Sequence, residues 1–392
     1  MEISLNVIEN VILYADRINM RGIGKYEREF LKKDTNIIKG IAILFLMFHH
    51  CFLSGDRYRN LQVVFSPFSE SIVNYIAAFL KICVPIFVFL TAYGITISLK
   101  KQYQLSKLKY DNISEYIKHR FFNLYIGWIF VFLFCEIFGL IYNRLPIEIY
   151  GKNIQGVIYF CLDGLGIANL FGTPTLVGTW WYMSLAVTLI LIIPLAIKIY
   201  EKIGFVYMFV LFSILSRQLA VTDSSIIHWL PVVFLGIVSA DKKWLVKIAN
   251  YEVIKKTNIL NKTVKLLVGI ILILASIKFR QSGVSAILFE IKDGVIPFIV
   301  ICFCYEFINP IKYLNTALGF IGKHSMNIFL IHTFIRATYF RKFIYSFKYP
   351  PVIIIVLLAI SLMVSMIIEL MKKYLGYNKM TDKIREKVDK HK

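Results

Sequence analysis

Residues 36–51 of this 392-residue chain read NIIKGIAILFLMFHHC, an apolar helical run interrupted by one lysine and two histidines. About ten such runs occur, each near the roughly 20 residues that an α-helix needs to cross a bilayer. Hydrophobic residues make up 58% of the chain, and the charged 18% lie in clusters between the runs. A soluble domain of this composition would expose extensive apolar surface. The pattern predicts an all-α, polytopic integral membrane bundle of about ten transmembrane helices.

The basic residues predict how the bundle is oriented. Lysine and arginine are concentrated in alternate connections, which the positive-inside rule assigns to the cytoplasm. Both termini are then cytoplasmic, and the number of spans is even. We predict spans near residues 36–54, 74–99, 121–142, 179–199, 204–221, 225–240, 264–279, 290–308, 314–338 and 350–371.

The domain organisation is predicted to be simple, since the sequence shows no internal repeat. Residues 1–35 form a cytoplasmic segment whose amphipathic stretch suits an interfacial helix. Residues 36–371 form one membrane domain, and residues 372–392 form a basic cytoplasmic tail. The outer connection 142–178 is too long for a minimal loop and is rich in apolar residues, as in an interfacial or re-entrant segment that covers a cavity.

The net charge of +21 does not indicate nucleic acid, because its clusters flank apolar runs. Charge placed in this way contacts anionic lipid headgroups. The six cysteines contain no CxxC pair and are interpreted as free thiols. We therefore expect no metal site and no tightly bound cofactor.

The first span presents two polar side chains on one face. Lys39 and His50 are eleven residues apart, so at about 100° per residue they point within about 20° of each other. They are separated by roughly 16 Å along the helix axis, while His49 is rotated by about 80° from Lys39. Polar side chains inside a membrane need a partner, a cavity or a task.

Two interpretations of this pair are open from the residues alone. In one, Lys39 extends to the headgroups and the histidines are hydrogen-bonded core residues. In the other, the two side chains line one cavity, with a cation near the inner surface and an imidazole deep in the membrane. Histidine suits the task of accepting a proton from a hydroxyl group, because imidazole titrates near neutrality.

The chain resembles the acyltransferase 3 family of bacterial membrane proteins, in which a basic residue, ten intervening residues and a histidine lie on the first membrane helix. Lys39 and His50 match that spacing. Further similarity is found, in the family's order, at Pro85–Gly94, Tyr116–Tyr125, Trp180–Ser184, Ser325–His332 and Glu369.

The chain also departs from the family pattern. Lys39 stands where arginine is commoner, and Asn123 stands where a second arginine is frequent. Thr91 and Ala92 replace a serine–glycine pair. Lysine is a point charge, whereas arginine presents a planar fork, so the manner in which a phosphate would be held is altered.

The resemblance implies a function and a set of site residues. We expect an acyltransferase of the bacterial cell membrane that moves an acyl group, acetyl in the first instance, from coenzyme A to a hydroxyl of a surface or lipid-linked polysaccharide. His50 and His332 would be catalytic. The residues that would contact the donor or the acceptor are Lys39, Arg120, Trp181, Tyr182 and Ser184.

A transporter is the competing class of function, since a flippase or export partner for a lipid-linked glycan also carries buried cations and histidines. The sequence lacks the inverted repeat of many transporters. It does not identify the acceptor sugar, the acyl chain, the side of the membrane that receives the acyl group, or the oligomeric state.

Overall fold

The computed structural model describes residues 29–103, 110–219, 226–254 and 257–390. Helices account for 84% of the structure, and these residues contain no β-strand. The all-α prediction is therefore confirmed. Most of the predicted N-terminal segment 1–35 lies outside the described residues, and the domain boundaries remain predictions.

The chain forms long helices joined by short helical connections. In order, the α-helices are α1 (Lys32–Phe52), α2 (Glu70–Phe79), α3 (Cys83–Tyr103), α4 (Tyr110–Ile141), α5 (Pro146–Tyr150), α6 (Ile154–Gly164), α7 (Trp181–Leu219), α8 (Leu230–Asp241), α9 (Trp244–Asn250), α10 (Asn258–Arg280), α11 (Val284–Ile287), α12 (Ile296–Phe303), α13 (Lys312–Lys323), α14 (Ser325–Thr333), α15 (Arg341–Tyr345), α16 (Pro350–Tyr374) and α17 (Tyr377–Lys390). Wide π-helical turns cover Ile291–Val295, Cys304–Ile308 and Phe334–Tyr339. Each of these turns continues a neighbouring α-helix.

Six helical segments are long and apolar enough to cross a bilayer, which establishes a multi-pass membrane protein. They are Lys32–Phe52, Glu70–Tyr103, Asn112–Ile141, Gly178–Leu219, Asn258–Arg280 and Pro350–Tyr374. The other predicted spans, 225–240, 290–308 and 314–338, correspond to shorter helices or to helices with π-helical turns. The number of ten crossings and the orientation of the termini remain predictions.

The segment Gly178–Leu219 includes two of the predicted spans, 179–199 and 204–221, although residues 220 and 221 lie outside the described residues. Its helix α7 is interrupted at Gly204, whose φ of 78° lies in the left-handed region that favours glycine. A turn at Gly204 allows the two halves to follow different directions. The structure therefore places a helix break where the sequence predicts a short inner connection.

The predicted outer connection 142–178 is folded against the bundle. It contains α5, α6 and a 3-10 turn at Ala168–Phe171. The Trp128 indole N–H donates to the Gly164 carbonyl at 2.8 Å, and the Tyr125 hydroxyl donates to the Leu165 carbonyl at 2.7 Å. Two side chains of α4 thus fix the end of α6.

The closest approach between two helices joins α1 to α13. A Cβ atom added at Gly40 would lie 2.1 Å from the Leu318 carbonyl oxygen, and one added at Gly322 would lie 1.8 Å from the Asn36 carbonyl oxygen. Only glycine permits this backbone contact. Small residues serve this purpose at membrane helix interfaces, where no hydrophobic force separates protein from lipid.

The start of α1 is held by a buried carboxylate. Asp34 is only 2% exposed; it accepts a hydrogen bond from the Leu31 backbone N–H at 2.9 Å and one from the Asn309 amide at 3.0 Å. A negative charge in the first turn also favours the helix dipole. Asp34 therefore begins α1 and joins it to the segment that precedes α13.

Ion pairs to two buried carboxylates hold another part of the bundle together. The Arg280 guanidinium lies 2.8 Å from Asp293, which also lies 3.1 Å from the His228 ring nitrogen. Arg217 makes two hydrogen bonds to Glu290, at 2.5 and 2.7 Å. Each charge has a counter-charge, as burial at a membrane helix interface requires.

The close contact between α1 and α13 predicts that one methyl group added at Gly322 lowers the stability of the protein. Gly322→Ala would force α13 away from Asn36, and overpacking of this kind typically costs about 1–3 kcal/mol. We expect a lower midpoint of thermal unfolding in detergent micelles. Gly319→Ala is the matched control on the same helix, because its Cβ would meet only the Ile37 side chain at 3.7 Å. Equal stability of the two variants would contradict the close approach.

Candidate active site

Three histidines meet between α1 and α14. The ring centroids of His50 and His332 are 5.1 Å apart, and those of His49 and His50 are 5.2 Å apart. The structure thus brings together the two residues that were predicted to be catalytic, although they are separated by most of the chain.

The two adjacent histidines differ in their hydrogen bonds. His49 is buried, and its Nδ1 donates to the Ala77 carbonyl oxygen at 2.8 Å. The Nδ1 atom of His50 is also buried but has no hydrogen-bond partner in the described part of the chain. Leaving such an atom unpaired costs about 1–3 kcal/mol. A substrate group that pairs with His50 would remove that penalty.

His332 is held in one tautomer. It is fully buried, and its Nδ1 lies 2.7 Å from the Phe329 carbonyl oxygen, which can only accept. Nδ1 must therefore carry the proton, and Nε2 accepts from the Thr333 hydroxyl at 3.2 Å. Thr179 in turn donates to the Thr333 hydroxyl at 3.2 Å.

Arg336 is a candidate that sequence reasoning missed. It lies four residues after His332 in the π-helical turn Phe334–Tyr339, is 4% exposed, and has a buried Nε atom without a hydrogen-bond partner among the described residues. Together with Arg57 it acts electrostatically on His50. An arginine one turn after a matched histidine, inside an apolar stretch, is the signal that would have found it.

Lys39 and Arg120 belong to a separate, positive region. Lys39 is half-buried on α1, and the charges that act on it most strongly are those of Arg120 and Lys32. Arg120 forms no ion pair with a described carboxylate. Its Nε donates a hydrogen bond to the Tyr116 hydroxyl at 2.7 Å. Because α1 is uninterrupted, Lys39 lies about 16 Å along the helix from His50. Like charges kept close together favour an anionic ligand.

The three predicted contacts on α7 lie in two different surroundings. The Tyr182 ring packs on Phe329 with centroids 5.0 Å apart, and Phe329 lies 6.1 Å from His332. Trp181 and Ser184 instead line a cavity of about 240 Å³ beside the Ala168–Phe171 turn. Tyr182 is therefore part of the histidine surroundings, whereas the other two belong to the cavity.

A buried acidic cluster lies under this cavity. The Tyr150 hydroxyl lies 2.8 Å from a Glu136 oxygen and 2.8 Å from an Asp163 oxygen. A phenol has one hydrogen to donate, so one of the two carboxyls must carry a proton and donate in return. Asp163 also accepts from the Leu176 backbone N–H and the Thr175 hydroxyl. Sequence reasoning did not identify Tyr150 or Asp163.

Burial determines the protonation of Asp163. It raises the pKa of the Asp163 carboxyl above its usual value, against the opposing effect of the hydrogen bonds from Leu176, Tyr150 and Thr175. Burial and the neighbouring carboxylates likewise raise the pKa of Tyr150. Both shifts favour the protonated forms, in agreement with the one carboxyl proton that the cluster needs.

These contacts describe a helical membrane protein with an imidazole pair buried between its helices. Residues 33–370, nearly the whole chain, match the family model described as an acyltransferase domain. The chain therefore belongs to the acyltransferase 3 family, as the motifs predicted. No curated protein and no solved structure matches the chain.

The pKa of Asp163 predicts how stability depends on pH. A raised pKa means that the folded state binds the proton more tightly, so the free energy of unfolding falls as pH rises from about 4 through the folded-state pKa. Asp163→Asn removes this dependence. We expect the midpoint of thermal unfolding in detergent to rise for the variant, relative to wild type, as the pH increases from about 4 to about 8.

Asp56→Asn is the control for this prediction, since it makes the same chemical change at an exposed carboxylate. Parallel pH profiles of wild type and Asp163→Asn would show that Asp163 is not held protonated by burial.

Proposed function

We propose that the protein is a membrane O-acyltransferase, and in the first instance an O-acetyltransferase, that transfers an acyl group from acyl-CoA to a hydroxyl of a surface or lipid-linked polysaccharide. The observation that carries this proposal is the buried, unpartnered Nδ1 atom of His50 beside His332. The family supplies the reaction class, and the site supplies the groups. We place the protein in the bacterial cell membrane with both termini in the cytoplasm.

His50 is the general base in this proposal. Its neutral imidazole takes the proton of the acceptor hydroxyl as the oxygen attacks the thioester carbonyl carbon. The C–O bond forms, the C–S bond breaks, and the imidazolium returns the proton to the departing thiolate. His332 cannot replace it in the geometry of the structure, because both of its ring nitrogens are already hydrogen-bonded.

The negative charge that develops on the carbonyl oxygen needs a fixed cation or donor, which is usually a large contribution in acyl transfer. Arg336 supplies both, since its guanidinium is always charged and its Nε–H is free among the described residues. Its burial strengthens the interaction, because little water screens it.

The donor phosphates are proposed to bind at Lys39 and Arg120. This region is about 16 Å from His50 along α1 and contains positive charges that act on one another. Coenzyme A would keep its phosphates at the inner surface while its thioester extends to the imidazole.

The first prediction of this proposal separates the two adjacent histidines. General-base catalysis typically contributes 10²–10⁴-fold, so His50→Ala should lose acyl transfer on about that scale. The measurement is free CoA released from acetyl-CoA in the presence of candidate glycans, with membrane preparations matched for protein level. His49→Ala should lose much less, because His49 makes one structural hydrogen bond to Ala77.

Near-normal turnover by His50→Ala would contradict the mechanism, and loss confined to His49→Ala would assign the base to the neighbouring face of α1. A wild-type protein that releases no CoA with any glycan, yet moves lipid-linked glycan across vesicle membranes, would support the transport alternative.

The second prediction concerns the donor. Lys39→Ala should raise the apparent KM for acetyl-CoA about tenfold, the change expected when a charge-assisted contact worth roughly 1.4 kcal/mol is lost. Lys39→Arg should retain most of the affinity, because the charge is kept. Lys101→Ala, at an exposed lysine that ends α3, is the control for loss of one charge. An unchanged KM in Lys39→Ala would show that Lys39 only contacts lipid headgroups.

A further inference from the structure

The cavity beside the start of α7 has a lining unlike that of the Lys39 region. It occupies about 240 Å³ between the Ala168–Phe171 turn and the segment Gly178–Trp181. None of the described residues that line it is basic, and its one acidic residue is Asp163. It therefore does not suit the phosphates of coenzyme A, whereas a neutral, hydroxylated ligand would fit.

The polar groups of the lining divide into two sets. Asp163, Thr175 and Ser184 are occupied by hydrogen bonds within the protein, the last donating to the Gly166 carbonyl at 2.9 Å. The side-chain amide of Asn169 and the indole N–H of Trp181 make no hydrogen bond to the described residues. The first set holds the wall in place, and the second set is available to a ligand.

The wall is also rigid, which favours recognition. Three hydrogen bonds fix the Asp163 carboxyl group, and α4 fixes the backbone of Gly164 and Leu165. Groups held before the ligand arrives lose little conformational entropy on binding. An indole ring beside polar groups offers the C–H face of a sugar ring an apolar surface and its hydroxyls a hydrogen-bond donor.

The cavity wall packs against α14, the helix that carries His332. Trp180 lines the cavity, and its indole N–H donates to the Leu330 carbonyl oxygen on α14 at 3.0 Å. The neighbouring Thr179 donates to Thr333, whose hydroxyl lies 3.2 Å from His332 Nε2. Hydrogen bonds thus connect the residues at the cavity wall to His332 through Thr179 and Thr333.

We propose that this cavity binds one sugar residue of the acceptor glycan, with the Asn169 amide and the Trp181 indole as the groups that recognise it. The inference rests on the proposed function, and it assigns the acceptor to the side of the predicted outer connection. The bound sugar positions the acceptor chain so that a hydroxyl reaches the histidine pair.

Binding and turnover test the proposal separately. A panel of neutral hexose and N-acetylhexosamine oligosaccharides is titrated into the purified protein without acetyl-CoA, and binding is measured by calorimetry. Asn169→Ala and Trp181→Ala should each weaken the oligosaccharide that binds wild type by about tenfold, as the loss of one good contact implies. Asn153→Ala is the matched control, because Asn153 precedes α6, makes no capping hydrogen bond and does not line the cavity.

In the turnover assay, Asn169→Ala should raise the KM for the glycan and leave the KM for acetyl-CoA unchanged. Trp181→Phe keeps an aromatic surface and should lose less affinity than Trp181→Ala. The proposal is overturned if no oligosaccharide binds wild type, or if Asn169→Ala and Asn153→Ala bind equally. Absence of CoA release with intact saccharide binding would instead refute the proposed function and leave the cavity assignment standing.

Discussion

The architecture depends on one contact, the approach of α1 to α13 at Gly40 and Gly322, where the two backbones touch without any intervening side chain. In a bilayer, lipid tails are as apolar as leucine, so helix association relies on close packing and on polar contacts. This contact sets the position of α1, which carries Lys39 and His50. Because α14 follows α13 directly, it also sets the position of His332 beside His50.

Polar groups inside the membrane follow a clear division. The Arg280–Asp293–His228 group is joined by close ion-pair contacts, which stabilise the helix packing. By contrast, atoms of His50 and Arg336 are buried and have no hydrogen-bond partner within the described residues. Native structures contain few such atoms, because each one reduces stability. The charge of Arg336 acts on His50, so we expect both groups to form hydrogen bonds with the same substrate.

The sequence was sufficient for the helical class and the family, because these depend on local periodicity and spaced motifs. It named His50 and His332 as candidates, but their contact is seen only in the structure. The sequence alone did not predict which distant residues come into contact. Tyr150 and Asp163 lie in a connection, and only the folded structure shows that they form a cluster with Glu136. Arg336 lies outside the motif that identified His332, so the motif did not point to it. The number of spans was not settled by hydropathy, since π-helical turns and short helices make the apolar runs near 290–308 and 314–338 discontinuous.

The unbroken course of α1 has a further consequence if Lys39 holds the donor. A straight helix with a rise of 1.5 Å per residue cannot adjust the interval of about 16 Å between Lys39 and His50. The fixed interval then selects donors whose thiol arm is long enough to reach from Lys39 to His50. A thioester with a truncated arm can occupy one end of the interval but not both, so it would lose the binding energy of the anionic end. Selection of the donor by length would need no specific recognition of its adenine base.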